Sequence, residues 1–276
     1  VFDHIRSGRE WGLSTLLSHY YLGIYNTPVD SSTVDKEYYH QILTYLKRSG
    51  SDQTVALNSD VLVNIDLNQV FHLHNVTKQK VTVVYKKLPK ELISDVNSIL
   101  DIDESDKVLK HELFQGGDKE VYNMSIDIFV VDTPFLIEKL EEEAAKEEPR
   151  KLRYVLRDLA VAENAFAYEH TGYLSNIHSV KSYFDANLDM LESQKFYSLF
   201  APNQKVYTKV KNEEPTYYSD SSEVKLSQFA SGSIVRGKVE NSVISRNVDL
   251  SEGSSVSHSI LFPRVKVAKG ATVEYA

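Results

Sequence analysis

The 276 residues carry 39 acidic against 31 basic side chains, a formal charge of −8, with no basic tract, which argues against a nucleic-acid partner or an anionic membrane surface. Hydrophobic residues at 42% and charged ones at 25% suit a globular protein with a sizeable core, and no apolar run reads as a signal peptide or membrane span. Cysteine is absent, which excludes disulfides and thiolate metal sites; the cytoplasm is the expected compartment.

The text enters at Val1 without a methionine, so the chain is expected to be a fragment whose preceding part lies outside it. Phe2 to Tyr25 sets Trp11, Leu13, Leu16, Leu17 and Tyr20 to Leu22 among polar residues and reads as irregular, with a helical piece. Glu37 to Arg48 is an amphipathic helix: Tyr38, Ile42, Tyr45 and Leu46 recur at helical spacing, Lys47 and Arg48 suit the last turn, and Gly50 follows. Val55 to Leu57 is a short apolar run, expected to be a parallel strand covered on both faces, that ends at Asn58 and Ser59 and delivers Asp60 to the end of a sheet. There Asp60 either holds a divalent cation over a phosphate or merely caps the turn.

Asp66 caps a helix with Leu67, Val70, Phe71 and His74 on one side, and Val81 to Tyr85 follows as a strand parallel to the Asp60 strand, joined by a right-handed crossover. His72 and His74 face different ways on that helix, so solvated or hydrogen-bonded histidines are expected rather than a metal site. After a polar stretch at Asp101 to Asp106, Lys107 to Phe114 and Met124 to Val131 read as strands. Asp132, Thr133 and Pro134 open a helix carrying Phe135, Leu136 and Leu140, with Glu141 to Glu148 as its solvated end. Leu152 to Leu159 is a helix, Val161 to Tyr168 a strand and Tyr183 to Leu191 a final helix.

Periodicity fades from Tyr197 to Lys225. Beyond it Val239, Val243, Ile244, Val248, Leu250 and Val256 recur seventeen positions on (239 to 256) as Val256, Ile260, Leu261, Val265, Val267 and Val273, and Gly253 recurs as Gly270. Within the repeat run steps of six (250 to 256). Such steps grouped into coils are the pattern of a β-helix in which small residues turn the corners, and they favour it over a pair of hairpins. The expected fold is therefore α/β: a three-layer Rossmann-like domain over 1–200, incomplete at its N-terminus, a linker over 201–225, and a truncated left-handed parallel β-helix over 226–276.

An α/β sheet followed by a hexapeptide β-helix resembles the glucose-1-phosphate adenylyltransferase family, and within it the GlgD-type subunits. The residues that carry the likeness are HIxxG at His4 to Gly8, the Asp60 strand, MSIDIFVV at 124–131, GYLSNIHSVKSYFDANLDML at 172–191 and SILFPRVKV at 259–267. The resemblance implies a nucleotide loop in the missing N-terminal part, and the reaction of ATP with glucose 1-phosphate to give ADP-glucose and pyrophosphate. It also implies Mg²⁺ held by two carboxylates. One lies at Asp60; the other falls in a tryptophan-arginine-aspartate-valine-glycine motif read here as Leu174, Ser175, Asn176, Ile177 and His178, so that it has become Asn176. Asn123 and Ser125 are the candidate substrate-binding residues.

Further departures accumulate. Where the family has a glutamate-lysine-proline motif this chain reads KHELFQ over Lys110 to Gln115, placing Phe114 at the phosphate-binding lysine. Thr33 to Lys36 replaces a glycine-threonine-alanine-aspartate segment, and Arg153 to Leu156 a histidine-aspartate-phenylalanine-glycine motif. The expectation is a regulatory, catalytically weak subunit pairing with a catalytic paralogue, two copies with two, and able to bind a sugar phosphate or nucleotide sugar. The alternatives are an active adenylyltransferase with substituted ligands and, remotely, a hexapeptide acyltransferase using His258.

Overall fold

The computed structural model describes residues 8, 12, 13, 20–23, 25, 31–201, 204, 206, 207 and 212–276. The expected irregular start, including Trp11, Leu16, Leu17 and most of the His4 to Gly8 segment, lies outside the described residues. The chain divides into two compact units, Val1–Val61 with Ile65–Gly172, and Leu62–Asn64 with Tyr173–Ala276. In chain order the elements before the solenoid are α1 (Lys36–Ser49), β1 (Gln53–Ala56), β2 (Val61–Val63), α2 (Leu67–Thr77), β3 (Val81–Pro89), β4 (Ser98–Ile102), β5 (Val108–Leu113), β6 (Val121–Asp132), α3 (Thr133–Ala144), α4 (Leu152–Ala162), β7 (Phe166–Glu169), β8 (Leu174–Asn176), α5 (Val180–Asp189) and α6 (Ser193–Leu199).

The first unit is built on a six-stranded sheet in the order β5-β4-β6-β3-β7, with β1 also on β6. The long apolar run of β6 is its spine: β3 lies along one edge from Val81 opposite Val131 to Pro89 opposite Val121. The other edge is shared, β1 taking Phe129 to Asp132 and β4 taking Met124 and Ser125. Val81, Val83, Tyr85, Phe129 and Val131 from the sheet pack against Tyr39 and Leu46 of α1, Leu136 and Leu140 of α3, and Val155 and Leu156 of α4.

Two expectations for β1 are corrected. It runs antiparallel to β6, which separates it from β3, and it is only half-buried, with Leu57 62% exposed; β6 is its only strand partner among the described residues. Burial of α1 centres on Tyr39, whose hydroxyl donates to the Arg150 carbonyl at 2.5 Å, while Tyr45 faces outward. Asp35 and a left-handed Gly50 close the ends of that helix.

Four further differences have physical causes. Strand β4 went unread because its SILDI runs into the acidic turn to β5, where Asp103 Oδ1 accepts from the backbone of Ser105 and Lys107. The expected strand from Val161 begins only at Phe166, because α4 continues to Ala162 and stops with Asn164 left-handed (φ 46°) and the Ala165 N–H donating to the Ala160 carbonyl. Glu143 is no solvated helix end: its side chain is 3% exposed and accepts from Arg150 and Lys146. Asp132 stands at the N-cap of α3 but its carboxylate meets His74 Nε2 at 3.2 Å instead of capping, while His74 Nδ1 lies 2.8 Å from Thr82 Oγ1. His74 is thus buried and hydrogen-bonded, and His72 is exposed.

In the second unit β2 pairs with β8, and α5 starts with a capping box of Ser179 and Ser182. Helix α6 was not expected. The solenoid has three parallel sheets, and the first strands of two of them, Tyr217–Tyr218 and Glu223–Lys225, lie inside the stretch read as a linker, while the third starts at Gln228–Phe229. Val239, Val256 and Val273 align in one sheet, Ile244 and Leu261 in the second, Leu250 and Val267 in the third. Those before Val273 are almost wholly buried. This is a left-handed hexapeptide β-helix of about three turns, with the side-chain alternation that the repeat demands.

Its corners depart from the expectation of small residues. The left-handed positions recur as Asn241, His258 and Tyr275, as Asn247 and Arg264, and as Gly253 and Gly270, so bulky residues accept positive φ at some corners. Inside, Ser227, Ser242 and Ser259 form a column. Each hydroxyl accepts the backbone N–H one coil on, from Ser242, Ser259 and Ala276 at 3.1, 3.1 and 3.2 Å, and donates to the carbonyl two residues earlier. The separation along this column is 15 at its first step and 17 thereafter.

Candidate functional site

Because β1 and β4 share one edge of β6, the stretch from Ile126 to Ile128 has no strand beside it there. The ladder to β3 also breaks at this level: Val84 faces Ile128 but Tyr85 faces Ser125, leaving Ile126 and Asp127 as a bulge. Bulges re-aim side chains and gather beside functional sites. Asp127 takes φ 50°, a conformation Asp tolerates better than most residues, and its side chain turns toward α4. Arg157 meets it there, Nη2 donating to Oδ2 at 2.6 Å and Nε to Oδ1 at 3.2 Å, with both side chains under 10% exposed.

A cleft opens at this break, lined by Asn58, Asp60, Asn97, Ser98, Ser125, Asp127, Arg153 and Arg157. The turn after β1 is pinned to the bulge, the Asn58 N–H donating to the Asp127 carbonyl at 3.2 Å. Asn58 Nδ2 in turn donates to Asp60 Oδ2 at 2.8 Å, so Asp60 stands exposed with one oxygen engaged. Ser125, 4% exposed, bonds the Asp127 N–H through its Oγ. Behind the wall, Ser98 Oγ pairs with His111 Nε2 at 2.9 Å; burial holds the His111 imidazole down to about 4, a tendency the Asp127 charge opposes.

The residues singled out in the sequence divide accordingly. Asp60 and Ser125 share the cleft. Asn123 lies off its lining and donates from Nδ2 to the Leu100 carbonyl at 3.3 Å, where it ties β6 to β4. Phe114 is buried edge-on against Tyr122, 5.1 Å between centroids, so the position read as a lost lysine is filled by packing. Asn176 belongs to β8 in the second unit and is 7% exposed, its carbonyl accepting from His178 Nδ1 at 3.2 Å. In the stretch expected to stand at a glycine-threonine-alanine-aspartate segment, Asp35 caps α1, accepting from the Tyr38 N–H.

Asp127 and Arg157 escaped the sequence reading, although a signal existed: an acid inside MSIDIFVV cannot be buried without a partner. Among the described residues no group of three or more His, Asp or Glu is placed to hold a metal ion. In the first unit Asp127 is spent on Arg157, leaving Asp60 as the only uncommitted carboxylate of the cleft lining. One such carboxylate holds Mg²⁺ only when substrate phosphates and water complete the shell.

The solenoid region, residues 212–276, matches the family model described as GlmU-like, C-terminal hexapeptide. The chain is 26% identical over 264 residues to the glycogen biosynthesis protein GlgD of Bacillus subtilis (strain 168), covering 93% of the chain and 65% of that protein. It is 26% identical over 242 residues to the glucose-1-phosphate adenylyltransferase of Bacillus mycoides (strain KBAB4), covering 86% of the chain and 63% of the relative. To the enzyme of the same name from Thermosipho africanus (strain TCF52B) it is 24% identical over 273 residues, 92% of the chain and 62% of the relative. The chain thus spans a little under two thirds of the length of these relatives.

Proposed function

We propose that this chain, a relative of GlgD and the glucose-1-phosphate adenylyltransferases, works in glycogen biosynthesis as a regulatory subunit beside a catalytic paralogue. The observation that carries the reading is the commitment of charge in the cleft. Transfer of an adenylyl group onto a sugar phosphate needs fixed positive charge and metal-holding carboxylates aimed at the reacting phosphates, present before the reaction begins. Here Asp127 and Arg157 neutralise each other, and on the family resemblance Phe114 would fall at the phosphate-binding lysine and Asn176 at the second acid. An amide offers an oxygen but no charge, which weakens the hold on a hard cation. Mg²⁺, where it binds, offsets charge on the phosphates; what remains of its site on the first unit is Asp60.

The partner would be the catalytic paralogue, two copies of each chain in a hetero-tetramer. A subunit of this kind alters its partner's affinity or rate through a coupling between sites, without chemistry of its own. A second reading, an active enzyme with substituted ligands, is favoured by Asp60 remaining exposed and Arg153 uncommitted at the same cleft. The acyltransferase reading finds no such support: His258 sits at a left-handed corner with its ring stacked on Tyr275, 5.0 Å between centroids.

Turnover of ATP and glucose 1-phosphate by the full-length protein alone, and then mixed with the paralogue, tests the proposal. Weak turnover alone, a mixed complex by mass measurement and altered partner kinetics are expected. Normal turnover alone points to the second reading, and absence of both complex and kinetic effect rules out the regulatory one.

A further inference from the structure

We propose that the open hollow between α2 and the edge strand β7 is a platform for a neutral glucan, a ligand site apart from the cleft at the break in β6. The choice of α-linked glucose rests on the glycogen-biosynthesis reading above; the sugar-binding chemistry rests on the hollow itself.

Helix α2, Leu67–Thr77, contains no Asp, Glu, Lys or Arg, in a chain of which 25% is charged. Its inner side is accounted for, with Val70 and His74 buried. Its outer side is not: Asn68, Gln69, His72 and Val76 are exposed, and the water-facing stripe of a helix is normally rich in charge. Beside them Tyr168 lies on the last strand of the sheet, opposite Val84. With Leu73 it floors a hollow of about 390 Å³ whose other lining residues are Asn68, Gln69 and His72.

That lining selects a ligand class. It holds no Lys or Arg to answer a phosphate and no carboxylate to answer a cationic peptide. Asp66, the nearest acid along the chain, is spent as the N-cap of α2, accepting from the Asn68 N–H. The Tyr168 hydroxyl donates to Gln69 Oε1 at 3.2 Å, which fixes that amide beside the ring. The side chains of Asn68 and His72 have no hydrogen-bond partner among the described residues, and the half-buried Tyr168 ring stacks on no other aromatic there. A fitting ligand is uncharged, lays an apolar face on Tyr168 and Leu73, and carries hydroxyls at its edge for the amides and the imidazole. A pyranose ring does both, its C–H face covering the aromatic and its equatorial hydroxyls projecting sideways. So shallow a site covers one side of a sugar and holds it weakly, and gains retention from the many identical units of a polymer.

Affinity electrophoresis of the full-length protein through gels with and without glycogen, and calorimetric titration with maltoheptaose and with glucose, test this. Wild type is expected to be retarded by glycogen and to bind maltoheptaose about tenfold or more tighter than glucose. Raising the salt from about 50 to about 500 mM should not weaken either, because no charge is involved. Tyr168→Ala should weaken both about tenfold or more, and Tyr168→Phe, which keeps the ring, should retain most of the binding. Asn68→Ala with His72→Ala should weaken binding about threefold or more, and since both positions are exposed on a helix, where alanine is well tolerated, this pair separates lost binding from lost folding. Tyr197→Ala, a change to an exposed tyrosine of α6, should leave binding unaltered. No retardation together with no maltoheptaose binding, binding equal in wild type and Tyr168→Ala, or binding lost at high salt would overturn the assignment. Self-association of the wild type that Tyr168→Ala abolishes would overturn it too, and make the neutral face a contact between copies. Failure of the functional reading is distinguishable: a protein that binds glucan here yet neither joins nor alters the paralogue would refute regulation and leave this site standing, and the reverse result would refute this site alone.

Discussion

Arg157 grips both carboxylate oxygens of Asp127 from a neighbouring helix, at 2.6 and 3.2 Å, across a strand residue whose backbone is left-handed. Buried pairs of this kind are costly to break on one side only, because the surviving charge is stranded. Arg157→Met should destabilise the first unit by about 3–5 kcal/mol. Asp127→Asn combined with Arg157→Met should recover much of that, since no charge remains buried. Urea unfolding of the three proteins checks the order, and a double variant no more stable than Arg157→Met would show that the pair is not what Arg157 supports.

Acid should loosen the first unit in two separable stages. His111 is held down to about 4 by burial, against an ordinary value near 6.5, so its contribution is present above 6.5 and fades as pH falls toward 4 and the unfolded chain takes up the proton first. On Glu143 burial pushes the carboxyl up, but hydrogen bonds from Arg150 and Lys146 outweigh it and hold the group at about 2, below its ordinary 4.5. That contribution is present above 4.5 and is lost as pH falls toward 2. Stability curves against pH should therefore flatten between 6.5 and 4 in His111→Gln, and between 4.5 and 2 in Glu143→Gln. Because the partners keep water contact, Lys146 at 53% and Arg150 at 36% exposed, solvent screens the loss and the second substitution should cost only about 1–2 kcal/mol at neutral pH.

The serine column makes a sharp demand on the solenoid. Ser242→Ala removes the acceptor of the buried Ser259 N–H, an orphaned donor that costs about 1–3 kcal/mol. Hydrogen exchange should show the Ser259 amide losing protection while amides in the sheet of the first unit keep theirs. Retained protection at Ser259 would mean that another group takes over as acceptor.

Phe262 follows the inward Leu261 and is 57% exposed, as expected when three successive apolar residues cannot all enter a narrow core. Phe262→Ser should leave the melting temperature within a degree or two and, on the proposed pairing with a paralogue, weaken that complex about tenfold or more, the scale of losing an apolar anchor at an interface. Mass photometry of the mixed proteins gives the answer, and an unchanged dissociation constant would remove Phe262 from the interface.

Legibility in the sequence tracked the range of the interactions involved. Helix α1 and the solenoid were readable because their periods, caps and glycines are local signals, and Val239, Val256 and Val273 aligned as their spacing demanded. The neighbour of β1 was not, since β6 arrives some seventy residues later and inserts antiparallel between β1 and β3, which do run the same way as expected. Glu143 looked like its neighbours in EEEAAKEE; only Arg150, brought back beside it after the helix ends, distinguishes it. At the cleft, Asp60 and Ser125 could be found from the family likeness, while Asp127 and Arg157 had to wait for the bulge and for the helix that faces it.

The serine column also bears on how such a stack can change length. Each coil takes its alignment from the one before, through parallel strands and a hydroxyl that reaches one coil along. Losing or gaining a whole coil would leave every remaining serine opposite another, and the solenoid would close up like a removed link. Loss of a single residue would turn the inward side chains of the next coil toward solvent and set the hydroxyls out of step. The change from 15 to 17 along the column marks the one coil among the described residues where a two-residue difference has been absorbed, and the corner between Val235 and Val239, four residues apart, is where it falls.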